Sequence, residues 1–215
     1  MSESLIFFPF GGNAREAVVA VEALNAVAPR YRILGYLDDN CKRLQSTDYP
    51  ILGATEVWPS HRGQARLLAV PGSPRSFRQR RQLIDRFELR PEDAVSIIDP
   101  SARVASTASI GMNSLIMAGC FLSAGTRIGR HCVVLPNTVI SHDASLGEYT
   151  VVGSNVSISG GVVLGENCYI GSGARIREGL SIGAGALVGI GAVVVRDVAP
   201  GAVVAGVPAR RLAAG

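Results

Sequence analysis

Aromatic residues are scarce, with six Phe, five Tyr and one Trp among 215 residues. That excludes a core filled mainly by large rings, and 25 glycines point instead to tight, recurrent turns. The four cysteines, Cys41, Cys120, Cys132 and Cys168, form no CxxC pair, so the usual zinc-finger and thioredoxin spacings are absent. A disulfide framework is not expected in an intracellular chain of this size. No apolar run reaches the roughly 20 residues needed to cross a bilayer. The opening MSESLIFFPF has no basic segment before its apolar stretch and no small-residue cleavage site, so no signal peptide is read and the cytoplasm is the expected location. Histidine is also rare: His61, His131 and His142 are the three.

Charge excludes less. The formal net charge is +4, and Arg75, Arg78, Arg80, Arg81, Arg86 and Arg90 fall in one segment. Without interleaved aromatics or a nucleic-acid motif, this reads as a solvated helix face rather than a nucleic-acid surface. A mild basic bias also suits anionic ligands such as nucleotides.

What the chain has in abundance is a period of six. From Ile98, every sixth residue to Val194 is Ile, Leu or Val, seventeen positions without exception. Neither a helix nor an alternating strand has that period. Four residues beyond each aliphatic the side chain is mostly small, as at Ala102, Ser114, Cys120, Thr126, Cys132 and Cys168. The three cysteines on that slot are therefore read as packing residues. Three residues beyond it lies Gly, Asn or Asp in thirteen of seventeen repeats, types that tolerate positive φ. Gly111, Gly129, Gly147, Gly165 and Gly183 recur at eighteen. Three short strands and three corners per eighteen residues describe a triangular parallel β-helix over 98–197, which with a C-terminal tail makes a second domain of 98–215 and whose coils stack at the usual strand spacing of about 4.8 Å.

Residues 1–97 read differently. LIFFPF at 5–10 predicts a buried strand, Gly11-Gly12 a turn, and Asn13 with Glu16 the spacing of a capping box. A helix then runs toward Pro29. A second strand is expected at 31–37, ending in Asp38-Asp39, a third at 66–70 before Pro71-Gly72, and a helix from about Arg75 to Leu89. Strand, glycine turn, helix, strand and acidic pair form a Rossmann-like α/β arrangement, in which ligands sit beyond the carboxyl ends of the strands. The glycine pair alone is a weak signal, equally suited to a plain tight turn.

Together the halves resemble a known family. GGNARE at 11–16, GYLDDN at 35–40, DPSARV at 99–104, ISHD at 140–143 and AGVPARRL at 205–212 are similar to segments of the hexapeptide-repeat sugar acetyltransferases. The likeness is to their sialic acid O-acetyltransferase and nucleotide-amino-sugar N-acetyltransferase branch, and it spans essentially the whole chain. Two positions depart from the pattern: Pro9 stands where the first loop usually has Gly, and Asn13 where it often has His. The resemblance implies a left-handed β-helix, a homotrimer with sites between subunits, and acetyl-coenzyme A as co-substrate. It also implies a nucleotide-linked sugar as acceptor, a role in surface-glycan or glycoprotein synthesis, and no metal.

The resemblance implies His142 as general base, on a slot expected to face outward. Asp143 would orient it, although Asp is also what a corner favours at that position. His131 is read as a structural corner residue, and His61, in an expected loop, has no role. Coenzyme A is expected along Gly160, Gly161, Ser172, Gly173, Ile190 and Gly191, with Gly206, Pro208 and Arg210 of the tail; the corners alone would already demand most of these glycines. Gly11, Gly12, Asn13, Asp38 and Asp39 are the candidates for the nucleotide sugar. Two rival readings remain. One is a γ-carbonic-anhydrase-type enzyme, which needs three zinc-binding histidines where this β-helix has two. The other is a non-catalytic trimeric scaffold, against which ISHD and AGVPAR argue.

Overall fold

The computed structural model describes residues 2–40 and 48–212; Cys41 lies outside them. The N-terminal part is a four-stranded parallel sheet of β1 (Glu3–Phe8), β2 (Tyr31–Leu37), β3 (Ile51–Gly53) and β4 (Arg66–Ala69), in the order β3-β2-β1-β4. The helix α1 (Gly12–Val27) connects β1 to β2. Central β1 is buried on both faces, which is why it reads as a continuous apolar run. Its side chains alternate: Leu5 and Phe7 meet Ala14, Ala17 and Val21 of α1. Ile6 and Phe8 enter a second cluster with Leu67, Trp58, Ile84 and Phe87.

Several expectations need correction. Asn13 does not cap α1: the N-cap is Gly11, with no side-chain cap, and the Asn13 amide donates to the Val70 carbonyl at 3.1 Å. It ties the β1–α1 turn to the end of β4. The helix expected over 75–89 is only a 3-10 turn (Phe77–Gln79) followed by α3 (Arg80–Asp85), and the chain then reverses through Glu88 at φ 47°. The short β3 and a one-turn helix α2 (Trp58–His61) have too few residues to show a period, and His61 ends that helix instead of lying in a loop.

The second part follows the six-residue rule closely. Strands pair in parallel with partners eighteen residues on, Ile128 with Leu146, Val134 with Val152 and Ile140 with Ile158. Fourteen of the seventeen aliphatics, from Ile116 to Val194, are buried in one axial stack. The three that are not, Ile98, Val104 and Ile110, belong to the first coil, which has no coil before it. Three sheets result: a first face carrying Ile98, Ile116 and Val134, a second carrying Leu122, Ile140 and Ile158, and a third carrying Ile128, Leu146 and Leu164. Every corner residue from Asn113 to Gly191 has positive φ, including His131 (62°) and Tyr149 (60°). Cys120, Cys132 and Cys168 are free and buried, and burial pushes the Cys132 thiol up to about 12; packing is their role.

Ile158 sits at 0 % exposure in the middle of the stack. Truncating it to alanine is expected to cost about 2–5 kcal/mol, read by urea denaturation. Val104→Ala, at 36 % exposure, should cost less than about 1 kcal/mol. Equal costs would mean that the axial stack is not what holds the coils.

The edge between the third and first faces, Asn113, His131, Tyr149 and Asn167, docks the N-terminal part. Asn113 brackets the Ala69 peptide, accepting from its N–H at 2.7 Å and donating to its carbonyl at 3.0 Å. Arg80 donates to the His131 and Tyr149 carbonyls at 2.5 and 3.0 Å. Tyr149 donates to Asp85 at 2.6 Å and stacks on His131, while Asn167 donates to the Arg78 carbonyl. The arginine-rich segment is thus solvated at five of its six arginines, with Arg80 buried in the interface and two of the exposed ones reaching across it. Arg80 is 1 % exposed, Arg78 reaches the Gly185 and Gly201 carbonyls, and Arg81 pairs with Glu166.

Candidate active site

The edge between the second and third faces carries His142 and Asp143. Residue 142 precedes a corner and points outward, so its ring is largely in solvent. Asp143 serves two purposes at once. Its backbone makes the corner at φ 59°, and its carboxylate lies 3.0 Å from His142 Nδ1. A proton held on Nδ1 by that carboxylate leaves the Nε2 lone pair free to accept another. On the next coil the equivalent of His142 is Gly160, whose lack of a side chain leaves space beside the ring. A Cβ there would lie 2.6 Å from Nε2 and 2.7 Å from Cε1. The glycine therefore makes room for the ring to lie across the next coil. His131 is different: it is buried on the docking edge, and burial, with Arg130 beside it, lowers its pKa to about 4. The two histidines of the β-helix stand on separate edges, and among the described residues no group of three or more His, Cys, Asp or Glu could hold a metal ion.

A second candidate site lies in the N-terminal part. A cavity of about 430 Å3 opens at the carboxyl ends of β1 and β4 and the start of α1, lined on one side by Gly11, Gly12 and Asn13 and on the other by Pro71, Gly72 and Ser73. This is where a parallel sheet of this kind receives ligands. The second wall was visible in sequence only as a turn; its place beside β1 in the sheet is what brings it to the site. Asp38 and Asp39, at the end of β2, are not among the cavity's lining residues. Asp39 accepts from the Thr55 N–H and hydroxyl and pairs with Arg86 at 2.5 Å, and Asp38 is buried and accepts from the Asn40 N–H.

Comparison with known proteins covers both sites. The family model for the GMPPB C-terminal domain matches residues 93–182. The GDP-perosamine N-acetyltransferase of Caulobacter crescentus, solved as a histidine-to-alanine variant with CoA and GDP-perosamine, superposes with a TM-score of 0.87 at 28% identity, over 100% of this chain and 98% of that one. The acetyltransferase domain of PglB from Neisseria gonorrhoeae FA1090, solved with acetyl coenzyme A, gives 0.85 at 27% identity, over 99% and 100%. The chain is a structural neighbour of the hexapeptide-repeat sugar acetyltransferases. WeeI from Acinetobacter baumannii AYE, at 19% identity and a TM-score of 0.67 over 99% of this chain and all of that one, shares the fold. No curated protein sequence matches the chain significantly.

In an acetyltransferase of this build the expected coenzyme residues divide into two groups. Gly160 and Gly161 belong to the His142 edge, where the Gly161 N–H donates to the His142 carbonyl at 2.9 Å. Ser172, Gly173, Ile190 and Gly191 belong to the edge between the first and second faces, so the whole second face separates them from His142. Ser172 Oγ accepts from the Ser154 N–H, and Ile190 is 83 % exposed. The tail folds back over the end of that face. The Gly206 carbonyl accepts from the Val193 N–H at 3.0 Å, the Ala209 N–H donates to the Val193 carbonyl at 2.8 Å, and Arg210 pairs back on Ala205. Gly206, Pro208 and Arg210 thus belong to a segment that closes the sheet's open end.

Proposed function

We propose that this chain is an acetyl-coenzyme-A-dependent acetyltransferase that acts on the amine of a nucleotide-linked sugar destined for a surface glycan or glycoprotein. The observation that carries it is the His142–Asp143 pair on an exposed edge, Nδ1 held and Nε2 open over Gly160, in a chain that superposes end to end on an N-acetyltransferase solved with CoA and GDP-perosamine. In this reading, residues 1–97 form a Rossmann-like domain whose cavity at Gly11, Gly12 and Asn13 takes the nucleotide, with Asp38 and Asp39, at the end of the neighbouring strand β2, as further candidates. Residues 98–215 form a second domain, a left-handed β-helix followed by a C-terminal tail, that carries the chemistry.

His142 Nε2 takes a proton from the acceptor amine as its nitrogen attacks the thioester carbonyl. The tetrahedral oxyanion collapses, the C–S bond breaks, and coenzyme A leaves as the thiolate, which the imidazolium can reprotonate. Asp143 holds the ring and offsets its charge. The two groups of coenzyme residues lie on different edges of one prism, which supports a homotrimer in which one subunit's His142 edge faces another's Ser172, Gly173, Ile190 and Gly191. The exposed Phe121 and Val139, register partners on the second face, are apolar surface of the kind such packing covers. The chain's expected place of work is the cytoplasm; among the described residues no helix is long and apolar enough to cross a membrane.

The test is thiol release from acetyl-coenzyme A in the presence of GDP- and UDP-linked amino sugars and of sialic acid, with the mass of the enzyme followed by light scattering. Transfer to an amino sugar by a trimer is expected. Coenzyme A binding without transfer to any nucleotide-linked acceptor would move the substrate outside this class, and full activity at monomer mass would remove the shared site.

A further inference from the structure

Arg80 is the first residue of α3 and is 1 % exposed. Its Nε and one Nη donate to the Tyr149 and His131 carbonyls, while Nη1 is buried with no hydrogen-bond partner. Among the described residues no carboxylate pairs with this guanidinium, so a full positive charge is held by two peptide oxygens alone. Such a buried, unmatched charge is costly unless something else answers it. Its unpartnered end lies close to Gly72. A Cβ on residue 72 would lie 3.7 Å from Arg80 Nη1 and 2.2 Å from Asn13 Nδ2. Gly72 and Asn13 both line the cavity, so Nη1, itself buried, lies just behind that wall. The same cavity receives the N-terminus of the sixteen-residue α1, whose first turn has no acidic side chain. A helix N-terminus with its open N–H groups and an unpartnered buried cation both select an anion.

We propose that Arg80 is the counter-charge for a diphosphate held in this cavity, and that through its carbonyl bonds it ties the occupied cavity to the His131–Tyr149 edge of the β-helix. The proposal deepens the nucleotide-sugar reading and rests on it. Arg80 acts here as a positioning residue, through the field it casts past Gly72, and it discriminates ligands by their phosphates. It favours nucleoside diphosphates over nucleosides and does not affect coenzyme A on the prism edges.

Calorimetric titration of the full chain tests this with GDP, UDP, inorganic pyrophosphate, guanosine, uridine and coenzyme A. Arg80→Gln, whose amide can still donate to a corner carbonyl, is expected to weaken diphosphate and pyrophosphate binding about tenfold or more, leaving nucleoside and coenzyme A binding unchanged. Arg80→Lys keeps the charge and should stay within about threefold of the wild type. A folded Gln variant with wild-type diphosphate affinity would overturn the proposal, as would equal losses for nucleoside and diphosphate, which mark a merely structural role. If the Gln variant fails to fold, the Lys variant decides: a tenfold loss of diphosphate selectivity despite the retained charge overturns it. Wild-type binding of pyrophosphate but of neither nucleoside diphosphate would keep the anion site and sink the nucleotide reading. Binding of none of these anions, with coenzyme A still bound, would sink both.

Discussion

Replacing His142 with alanine is expected to lower acetyl transfer by about a thousandfold, the middle of the range for a lost general base. The fold and the affinity for coenzyme A should stay as they are. The ring is 69 % exposed, so its removal uncovers little apolar area and leaves no cavity. The corner it precedes is made by the backbone of Asp143 at φ 59°, which alanine at 142 does not disturb. What disappears is the Nε2 acceptor, and no second histidine stands on that edge to replace it: His131 is buried on another, and its pKa of about 4 would leave it a poor base there. Steady-state thiol release, with circular dichroism and coenzyme A titration on the same sample, reads all three quantities. A variant that keeps more than about a tenth of the wild-type rate would mean that another group takes the proton, or that the acceptor reaches the thioester already neutral.

The β-helix was legible because its rule is local and repeated. An aliphatic every six residues and a corner three residues later determine strand, turn and register together, and a single misfit cannot hide the period. His131 and Tyr149 occupy corner positions where Gly, Asn or Asp would serve with less strain, and that departure is visible in the sequence. Its reason is not: both hold the N-terminal part, Tyr149 through Asp85 and both through carbonyls bound to Arg80. Those partners are 51 to 69 residues away along the chain, and no local pattern encodes such a pairing. Arg80 departs from the solvated face expected of its segment for the same reason. An interface arginine and a solvated one have the same helical spacing, and only the docked partner separates them. Asn13 looked like a cap because capping-box spacing is local, but its amide found the Val70 carbonyl instead, a contact created by β4 lying beside β1. At the site, His142 and Asp143 could be named from adjacent letters, whereas the need for Gly160 could not. Glycine there resembles one more turn residue until the ring of the preceding coil is seen against it.

That contact leads to a sharp contrast between two glycines on one edge. Gly160→Ala is expected to cut acetyl transfer about a hundredfold, because a small misplacement of a catalytic group has that order of cost. The added methyl would fall 2.6 Å from Nε2, 2.7 Å from Cε1 and 3.2 Å from Cδ2 of His142, so the ring must swing away and its 3.0 Å contact with Asp143 must break or stretch. The side chain that yields is exposed, so stability should hardly change. Gly179, on the next coil, donates to the Gly160 carbonyl at 3.0 Å, has φ +68° and faces open space. Alanine there meets no side chain but must adopt a left-handed backbone, at about 1 kcal/mol, so Gly179→Ala should lower the melting temperature and leave the rate alone. Melting curves and kcat for both variants, with coenzyme A affinity measured separately because Gly160 is also a candidate for holding it, separate the two effects. Should Gly160→Ala retain its rate while Nδ1 still meets Asp143, the ring's resting place over the next coil would have no bearing on proton transfer.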